Sequence, residues 1–231
     1  MKFLNGLTPS FDLTYDDVFM VPSRSSVGSR MGVDLATDDG TGTTIPLVVA
    51  NMTAVAGKRM AETVARRGGL TIIPQDIPVD VVMDTVSQVK ASHLVYDTPV
   101  TVKPHHTCGY AMGLIPKRSH GAAVVVDPET DRPVGIVDLS DASDVDRFTQ
   151  VRAVMSTELV TLPEGIDARE AFDRLKAARR RMAPVVDAEG RLVGVLTRAG
   201  AVRSTIYRPA VDAAGPHPVT GSALKLLFVA E

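Results

Sequence analysis

Tryptophan is absent from these 231 residues, and Phe, Tyr and Trp together make up only 4% of them. A hydrophobic core must therefore be built from aliphatic side chains, which the hydrophobic fraction of 45% supplies amply. The single cysteine, Cys108, excludes an intrachain disulfide. A chain without disulfides is typical of a reducing compartment, so we expect the protein in the cytoplasm.

Charge and apolar runs exclude two further classes of partner. The formal net charge of -2 gives no general attraction to nucleic acid or to an anionic membrane surface. No apolar run approaches the roughly 20 residues that span a bilayer. The first six residues lack the long apolar stretch of a signal peptide. We therefore expect neither nucleic acid nor a membrane as a partner.

The chain does contain an internal repeat, in which an apolar strand, a polar turn and a second apolar strand occur twice. The strands 123–127 and 133–138 recur as 184–187 and 192–197. Each second strand carries one glycine, and these glycines, Gly135 and Gly194, lie 59 residues apart. A helix is predicted before each strand pair, over 107–117 and 167–180. Since one such unit cannot bury its own apolar face, we expect the two repeats to pair.

Ahead of the repeat, apolar strands alternate with amphipathic helices. The continuous apolar run 45–52 predicts a strand buried on both faces, as in a parallel sheet or barrel core. A helix is expected over 57–67, a strand over 70–74 and a second helix over 79–93. This order indicates β-α-β units and an α/β architecture. The opening segment, 15–22, is expected to be extended.

Several of these segments resemble IMP dehydrogenases and GMP reductases. The motifs are TYDDV at 14–18, IPL at 45–47, ANM at 50–52 and GGL at 68–70, and ANM is closer to the GMP reductase form. The repeat resembles a tandem cystathionine-β-synthase (CBS) pair, which many of these enzymes carry inserted in their barrel. The chain is therefore identified as a member of this family, closest to the actinobacterial GMP reductase branch that contains CBS domains.

The resemblance implies a (β/α)₈ TIM barrel that the CBS pair interrupts. Residues 1–93 are expected to supply about two β-α units of the barrel. Residues 94–207 then form the CBS pair, with repeats at about 96–150 and 151–207, and 208–231 form a return linker and a divergent tail. A complete barrel takes about 250 residues. We therefore expect an incomplete barrel in a chain truncated after the pair.

The family reactions are the NADPH-dependent conversion of GMP to IMP and the NAD-dependent conversion of IMP to XMP, through a cysteine in a glycine-rich loop. No counterpart of that loop is found here. Cys108 lies within the first repeat, where packing accounts for it better than nucleophilic catalysis. We therefore predict a catalytically incomplete chain that has no catalytic residue and binds neither NADP nor NAD. His105 and His106 beside Cys108 have no acidic partner at a metal-binding spacing, so we predict no metal site.

One pair of candidate substrate-binding residues comes from the resemblance. Ala50 and Met52 match family positions that contact the purine nucleotide at the top of the first barrel strand. The C-terminal ends of barrel strands are where such sites form. The alternative is that both residues only pack in the strand.

A second candidate site lies in the repeat. In CBS pairs a Gly-apolar-apolar-Thr/Ser-x-x-Asp motif positions the ribose and phosphate of a nucleotide. The first repeat keeps Asp141 but has Asp138 at the hydroxyl position, whereas the second keeps Thr197 and lacks the aspartate. Asp138 would repel a phosphate unless a cation compensates it. Arg198 and the run 179–181 could supply that charge, or the run is only a solvated helix end.

Two functions remain open at this stage. The chain is either a catalytically incomplete member of a purine-nucleotide oxidoreductase family, or a regulatory CBS module that binds purine nucleotides or mediates self-association. A barrel segment with unpaired strand edges can pair with the strands of a second chain. We therefore expect a homo-oligomer, formed through the CBS pairs or through the barrel segments.

Overall fold

The computed structural model describes residues 3, 6, 8–212 and 223–228, with only the backbone at 223, 227 and 228. The chain divides into two compact units, residues 1–34 and 35–231.

In the first unit, the structure describes short 3-10 helices at Tyr15–Asp17 and Arg30–Gly32. At the first, the backbone N–H and the hydroxyl of Thr14 both donate to Asp17 Oδ2, each at 2.8 Å. The prediction of an extended segment from residue 15 is therefore wrong at its start, because these local hydrogen bonds favour a helical turn.

The second unit combines short strands with six α-helices and the 3-10 helices Ile115–Lys117 and Val151–Ala153 in its described part. In chain order the elements are β1 (Val48–Val49), α1 (Lys58–Ala65), β2 (Leu70–Ile73), α2 (Val79–Ala91), β3 (Thr101–Val102), α3 (Cys108–Leu114), β4 (Ala122–Val126), β5 (Pro133–Asp138), α4 (Leu139–Ser143), β6 (Leu162–Pro163), α5 (Ala168–Ala177), β7 (Met182–Val186), β8 (Leu192–Thr197), α6 (Arg198–Ile206), β9 (Val211–Asp212), β10 (Ala223–Leu224) and β11 (Leu227–Phe228). None of the described helices is both long and apolar enough to cross a membrane.

Outside the repeat, the described strands form a parallel sheet of order β1-β2-β11 and an antiparallel pair, β9-β10. The helices α1 and α2 pack on the parallel sheet over a core that includes Ala61, Ile73 and Val89. The strand predicted over 45–52 is wrong in length and in burial, since only Val48 and Val49 pair and Val48 is 55% exposed. The physical reason is that β1 pairs with β2 alone among the described strands, which leaves its other edge uncovered.

The tail expected to be divergent lies partly outside the described residues, at 213–222 and 229–231. Its described part contributes a third parallel strand, with Leu227 opposite Ile72 and Phe228 opposite Ile73. Backbone hydrogen bonds do not depend on a family motif. An apolar run can therefore extend a parallel sheet whatever its exact side chains.

The two repeats form two sheets of the same design, β3-β4-β5 and β6-β7-β8. In each sheet the first strand is parallel to the second, and the second forms an antiparallel hairpin with the third. A helix, α3 or α5, separates the first two strands, as predicted, and a second helix follows the hairpin. Each repeat has its own aliphatic core.

The repeats are interlocked through their leading segments. Asp97, which precedes β3 in the first repeat, pairs with Val195 in the second, with N–O distances of 2.9 and 3.0 Å. Ser156, which precedes β6 in the second repeat, pairs in the same way with Ile136 in the first, at 2.9 and 3.0 Å. Both bridges obey the 59-residue offset, since Asp97 corresponds to Ser156 and Ile136 to Val195. Each repeat therefore extends the hairpin of the other.

Candidate functional site

A cavity of about 830 Å³, which we call the interrepeat cavity, is lined by residues of both repeats. All four residues predicted for the CBS-like site line it: Asp138, Asp141, Thr197 and Arg198. The arginine run 179–181 lines it as well. The other lining residues are Ser119, His120, Gly121, Ala122, Ile136, Ser156, Glu158, Val160, Met182 and Ala199.

The first repeat delivers its two carboxylates to the cavity at the start of a helix. Asp138 is the N-cap of α4, and its Oδ1 accepts from the N–H of Asp141 at 2.9 Å and from the hydroxyl of Ser140 at 2.6 Å. In return, Asp141 Oδ2 accepts from the N–H of Asp138 at 3.1 Å. This is a reciprocal capping box, with an acidic residue at each position.

Thr197 takes the equivalent place in the second repeat. It is the N-cap of α6, and its Oγ1 accepts from the N–H of Gly200 at 2.8 Å. Three of the four predicted ligands, Asp138, Asp141 and Thr197, are therefore first of all helix-capping residues. Sequence reasoning missed this role, although the D-x-x-D spacing of Asp138 and Asp141 at the start of a helix is the signal that indicates it.

The lining of the cavity is rich in cations. Arg180 pairs with Glu158 at 3.7 Å. Arg179, Arg181 and Arg198 form no ion pair within the described part of the chain. Three guanidinium groups at the cavity are thus available to an anion, and guanidinium is suited to two-pronged contacts with phosphate.

Asp138 in the lining remains ionised at neutral pH. The hydroxyl of Ser140 donates to Asp138 and, together with backbone hydrogen bonds, outweighs burial and holds the pKa of that carboxyl below its usual range. An ionised carboxylate accepts hydrogen bonds from sugar hydroxyls. It also repels a phosphate that approaches closely, as the sequence led us to expect.

Apolar groups and one histidine complete the lining. Ile136, Val160 and Met182 present aliphatic surface suited to a flat base. His120, which the sequence did not single out, also lines the cavity. Its Nε2 is buried without a hydrogen-bond partner, and burial holds the pKa of its imidazole below the usual value. His120 is therefore neutral at pH 7 and adds no positive charge.

Ala50 and Met52 do not join this site. They follow the C-terminal end of β1, where Met52 is 58% exposed and its N–H donates to the carbonyl of Ala50 at 2.8 Å. Neither lines the interrepeat cavity. The family position at the end of the first strand is thus separate from the residues predicted in the repeat.

Cys108 is a core residue of the first repeat. It is fully buried at the start of α3, among side chains such as Ala111 and Val151, and burial raises the pKa of its thiol. A buried thiol with a raised pKa is a poor nucleophile. The neighbouring His106 uses its Nδ1 to accept from the N–H of Lys103 at 3.2 Å. No group of three or more His, Cys, Asp or Glu side chains within the described residues is placed to hold a metal ion.

The family model for the IMP dehydrogenase / GMP reductase domain matches residues 12–181. The chain belongs to this family. The resemblance read from the motifs is thereby confirmed, and the fold is that of the TIM-barrel family with mixed α/β content.

Curated relatives include both activities of the family. GMP reductase from Mycobacterium tuberculosis is 56% identical over 215 residues, which cover 93% of this chain and 44% of that protein. Inosine-5'-monophosphate dehydrogenase from Methanocaldococcus jannaschii is 35% identical over 187 residues, 80% of this chain and 37% of that protein. The chain thus spans less than half the length of these relatives.

Solved structures point the same way. GMP reductase from Trypanosoma brucei in complex with guanosine 5'-triphosphate superimposes with a TM-score of 0.62 at 25% identity, covering 94% of this chain and 52% of that chain. The same enzyme with a C318A substitution, in complex with guanosine 5'-monophosphate, also gives a TM-score of 0.62, covering 94% of this chain and 46% of that chain.

Proposed function

We propose that residues 94–207 form a CBS-type pair that binds purine nucleotides in the interrepeat cavity. The observation that carries this proposal is the convergence of Asp138, Asp141, Thr197 and Arg198 on one cavity, although they come from two repeats. We propose that the segments on either side of this pair, 1–93 and 208–231, belong to the barrel of the family.

The chemistry of the lining suits a nucleotide. Arg179, Arg181 and Arg198 have no competing carboxylate among the described residues and offer charge-assisted hydrogen bonds to phosphate oxygens. Asp141 offers an acceptor for a ribose hydroxyl, and the aliphatic surface offers packing for the base. The Trypanosoma brucei relatives form complexes with GTP and GMP, which supports guanine nucleotides as the first ligands to test.

Calorimetric titration of the full chain with GTP, GMP, ATP and AMP tests this proposal. We expect at least one of them to bind, and the variant Arg181→Gln/Arg198→Gln to weaken binding by about tenfold or more, since each charge-assisted hydrogen bond is worth about 1.5–3 kcal/mol. The charge-matched control is Arg152→Gln/Lys176→Gln, which changes exposed residues that do not line the cavity. No heat with any of the four nucleotides would refute nucleotide binding.

We propose further that this chain does not perform the redox step of its family. Its one thiol, Cys108, is buried in the core of the first repeat and has a raised pKa. The assignment of a nicotinamide cofactor, NADP or NAD, to this chain rests only on family resemblance. Robust GMP-dependent oxidation of NADPH, or IMP-dependent reduction of NAD, by the purified chain would overturn this part and favour the enzyme alternative.

Self-association is a separate proposal. Leu47, Val48 and Met52 are between 47% and 58% exposed, next to the open edge of β1. An exposed apolar group beside an unpaired strand edge favours contact with a second chain. Sedimentation equilibrium should show a homo-oligomer that Val48→Lys weakens, and a concentration-independent monomer mass would contradict it. A cytoplasmic location stays a prediction.

A further inference from the structure

A second cavity, which we call the basic cavity, lies between α1 and the first repeat. Its volume is about 860 Å³, and its lining comes from the segments 53–63 and 100–101 and from residues between 114 and 118, at and just after the end of α3. Four cations line it: Lys58, Arg59, Lys117 and Arg118. Neither Asp nor Glu is among its lining residues, and it shares no lining residue with the interrepeat cavity.

Three of the four cations have no carboxylate partner among the described residues. The ammonium of Lys58 donates to the neutral amide oxygen of Gln88, and the guanidinium of Arg59 donates to the backbone carbonyl of Lys117. Hydrogen bonds to neutral oxygens orient these groups but leave their charge in place. The ammonium of Lys117 itself forms no ion pair with a described residue.

Two carboxylates reach the lining from outside the cavity and do not cancel this charge. Glu62 pairs with Arg118 at 2.6 Å. Asp76 accepts from the hydroxyl of Thr53 at 2.7 Å. Four cations against two carboxylates leave an excess of two positive charges, and clustered cations in a concave surface raise the local concentration of anions.

The backbone adds further donors on the same side. The helix α1 begins after Gly57, which has no side chain to cap it. The N–H groups of Lys58, Arg59 and Met60 in its first turn find no acceptor among the described residues. Free N–H groups at a helix start add positive potential to the charge that the side chains already provide.

We propose that the basic cavity binds a small molecule through a chain of phosphate groups. The cavity lies within the range of about 300–1,000 Å³ that small-molecule sites occupy. Several separated cations match a polyphosphate better than a single carboxylate, because each cation finds its own anionic oxygen. The hydroxyls of Thr63 and Thr101 in the same lining supply additional donors.

The test uses the variant Arg181→Gln/Arg198→Gln as the background, because this variant weakens binding in the interrepeat cavity. Binding that remains can then be assigned to the basic cavity. Titration of the full chain in this background with inorganic tripolyphosphate should show one binding event. Adding Arg59→Gln/Lys117→Gln should lower the affinity for tripolyphosphate tenfold or more. Adding the control pair Arg152→Gln/Lys176→Gln instead should change this affinity less than twofold. Arg59 and Lys117 are exposed, so folding should be unaffected, which unchanged melting temperatures would verify.

Two further arms identify the source of the phosphate chain. GTP that displaces tripolyphosphate, with guanosine inert, would support a nucleotide ligand. Displacement by neither would support an inorganic polyphosphate. As an independent measurement, Val55→Trp places the chain's only tryptophan in the lining, and its emission should change as tripolyphosphate is added. The proposal is overturned if tripolyphosphate does not bind in the background, or if Arg59→Gln/Lys117→Gln leaves its affinity unchanged.

Discussion

Glu62 and Arg118 form a two-contact ion pair, with 2.6 Å between Oε2 and Nη1 and 3.3 Å between Oε1 and Nη2. Glu62 lies on α1 and is 1% exposed, whereas Arg118 follows the first helix of the first repeat. The hydroxyl of Thr98 also donates to Glu62, at 2.8 Å. The pair therefore connects the parallel sheet region to the repeat region through a buried charge.

The connection continues to the second repeat. Arg66, the C-cap residue of α1 and one turn after Glu62, approaches Asp97 at 3.9 Å, and Asp97 pairs with Arg203 of α6 at 2.9 Å. Burial, partly offset by Glu62 and Asp97, lowers the pKa of Arg66 to about 10. Arg66 is thus still a cation at neutral pH. A chain of alternating charges links α1 to both repeats.

Replacing Glu62 with glutamine should destabilise the protein strongly. The change leaves Arg66 and Arg118 without their buried counter-charge, which costs about 3 kcal/mol in the free energy of unfolding. The matched control is Glu170→Gln, because Glu170 pairs with Arg174 at 2.7 Å on the exposed face of α5, where such a pair is worth under about 1 kcal/mol. Equal losses for the two variants in urea denaturation would show that the buried pair has no special role.

The same pair predicts a dependence of stability on acid. Burial alone would raise the pKa of Glu62, but the hydrogen bond and charge of Arg118, with the charge of Arg66 and the Thr98 hydroxyl, outweigh it, so the pKa lies below its ordinary value of 4.5. The stabilisation by ionised Glu62 is present above pH 4.5 and is lost as the pH falls through the folded-state value. Below pH 4.5, the urea midpoint should therefore fall more steeply for the wild type than for Glu62→Gln. Parallel curves would contradict this.

The repeat was the part of the fold that the sequence predicted best. The offset between Gly135 and Gly194 lies in the apolar and glycine pattern itself, and that pattern determines which residues face a core. The backbone bridges made by Asp97 and Ser156 are related by the same offset. That each of them pairs with the opposite repeat, however, depends on tertiary packing, which no local sequence pattern encodes.

The charged cluster could not be predicted in this way. Glu62 on α1 and the C-cap residue Arg66 are four residues apart, a spacing equally typical of a solvated helix face. Their partners Arg118, Asp97 and Arg203 are distant in sequence and follow no period. The basic cavity could not be predicted from the sequence for the same reason, because it forms only where α1 packs against the first repeat.

The two repeat glycines should differ in their tolerance of alanine. A Cβ at Gly194 would lie 2.7 Å from Tyr96 Cβ, close to the backbone, whereas a Cβ at Gly135 would lie 2.6 Å from the flexible thioether of Met155. Met155 can rotate away but Tyr96 cannot without moving its backbone. We expect Gly194→Ala to cost about 2 kcal/mol and Gly135→Ala about 1 kcal/mol less. A larger loss for Gly135→Ala in thermal denaturation would refute this account.

Cys108 should be inert in the folded protein. Its burial and raised pKa keep the thiolate scarce and out of reach of reagents. A thiol reagent at pH 8 should therefore label the chain only after denaturation, at the rate of unfolding. Cys108→Ala should lose stability yet keep nucleotide binding. Rapid labelling of the native chain would contradict the core assignment.

The interrepeat cavity offers a prediction that separates capping from ligand binding. Asp138→Thr keeps an N-cap oxygen for α4, because threonine is a good cap, while it removes a negative charge from the lining. We expect nucleotide affinity to rise several-fold with little change in melting temperature, since less repulsion then opposes the phosphate. The converse variant, Thr197→Asp, keeps the cap of α6 and adds a charge beside Arg198, so it should weaken binding. If both variants shift affinity in the same direction, the caps act through local structure rather than through charge.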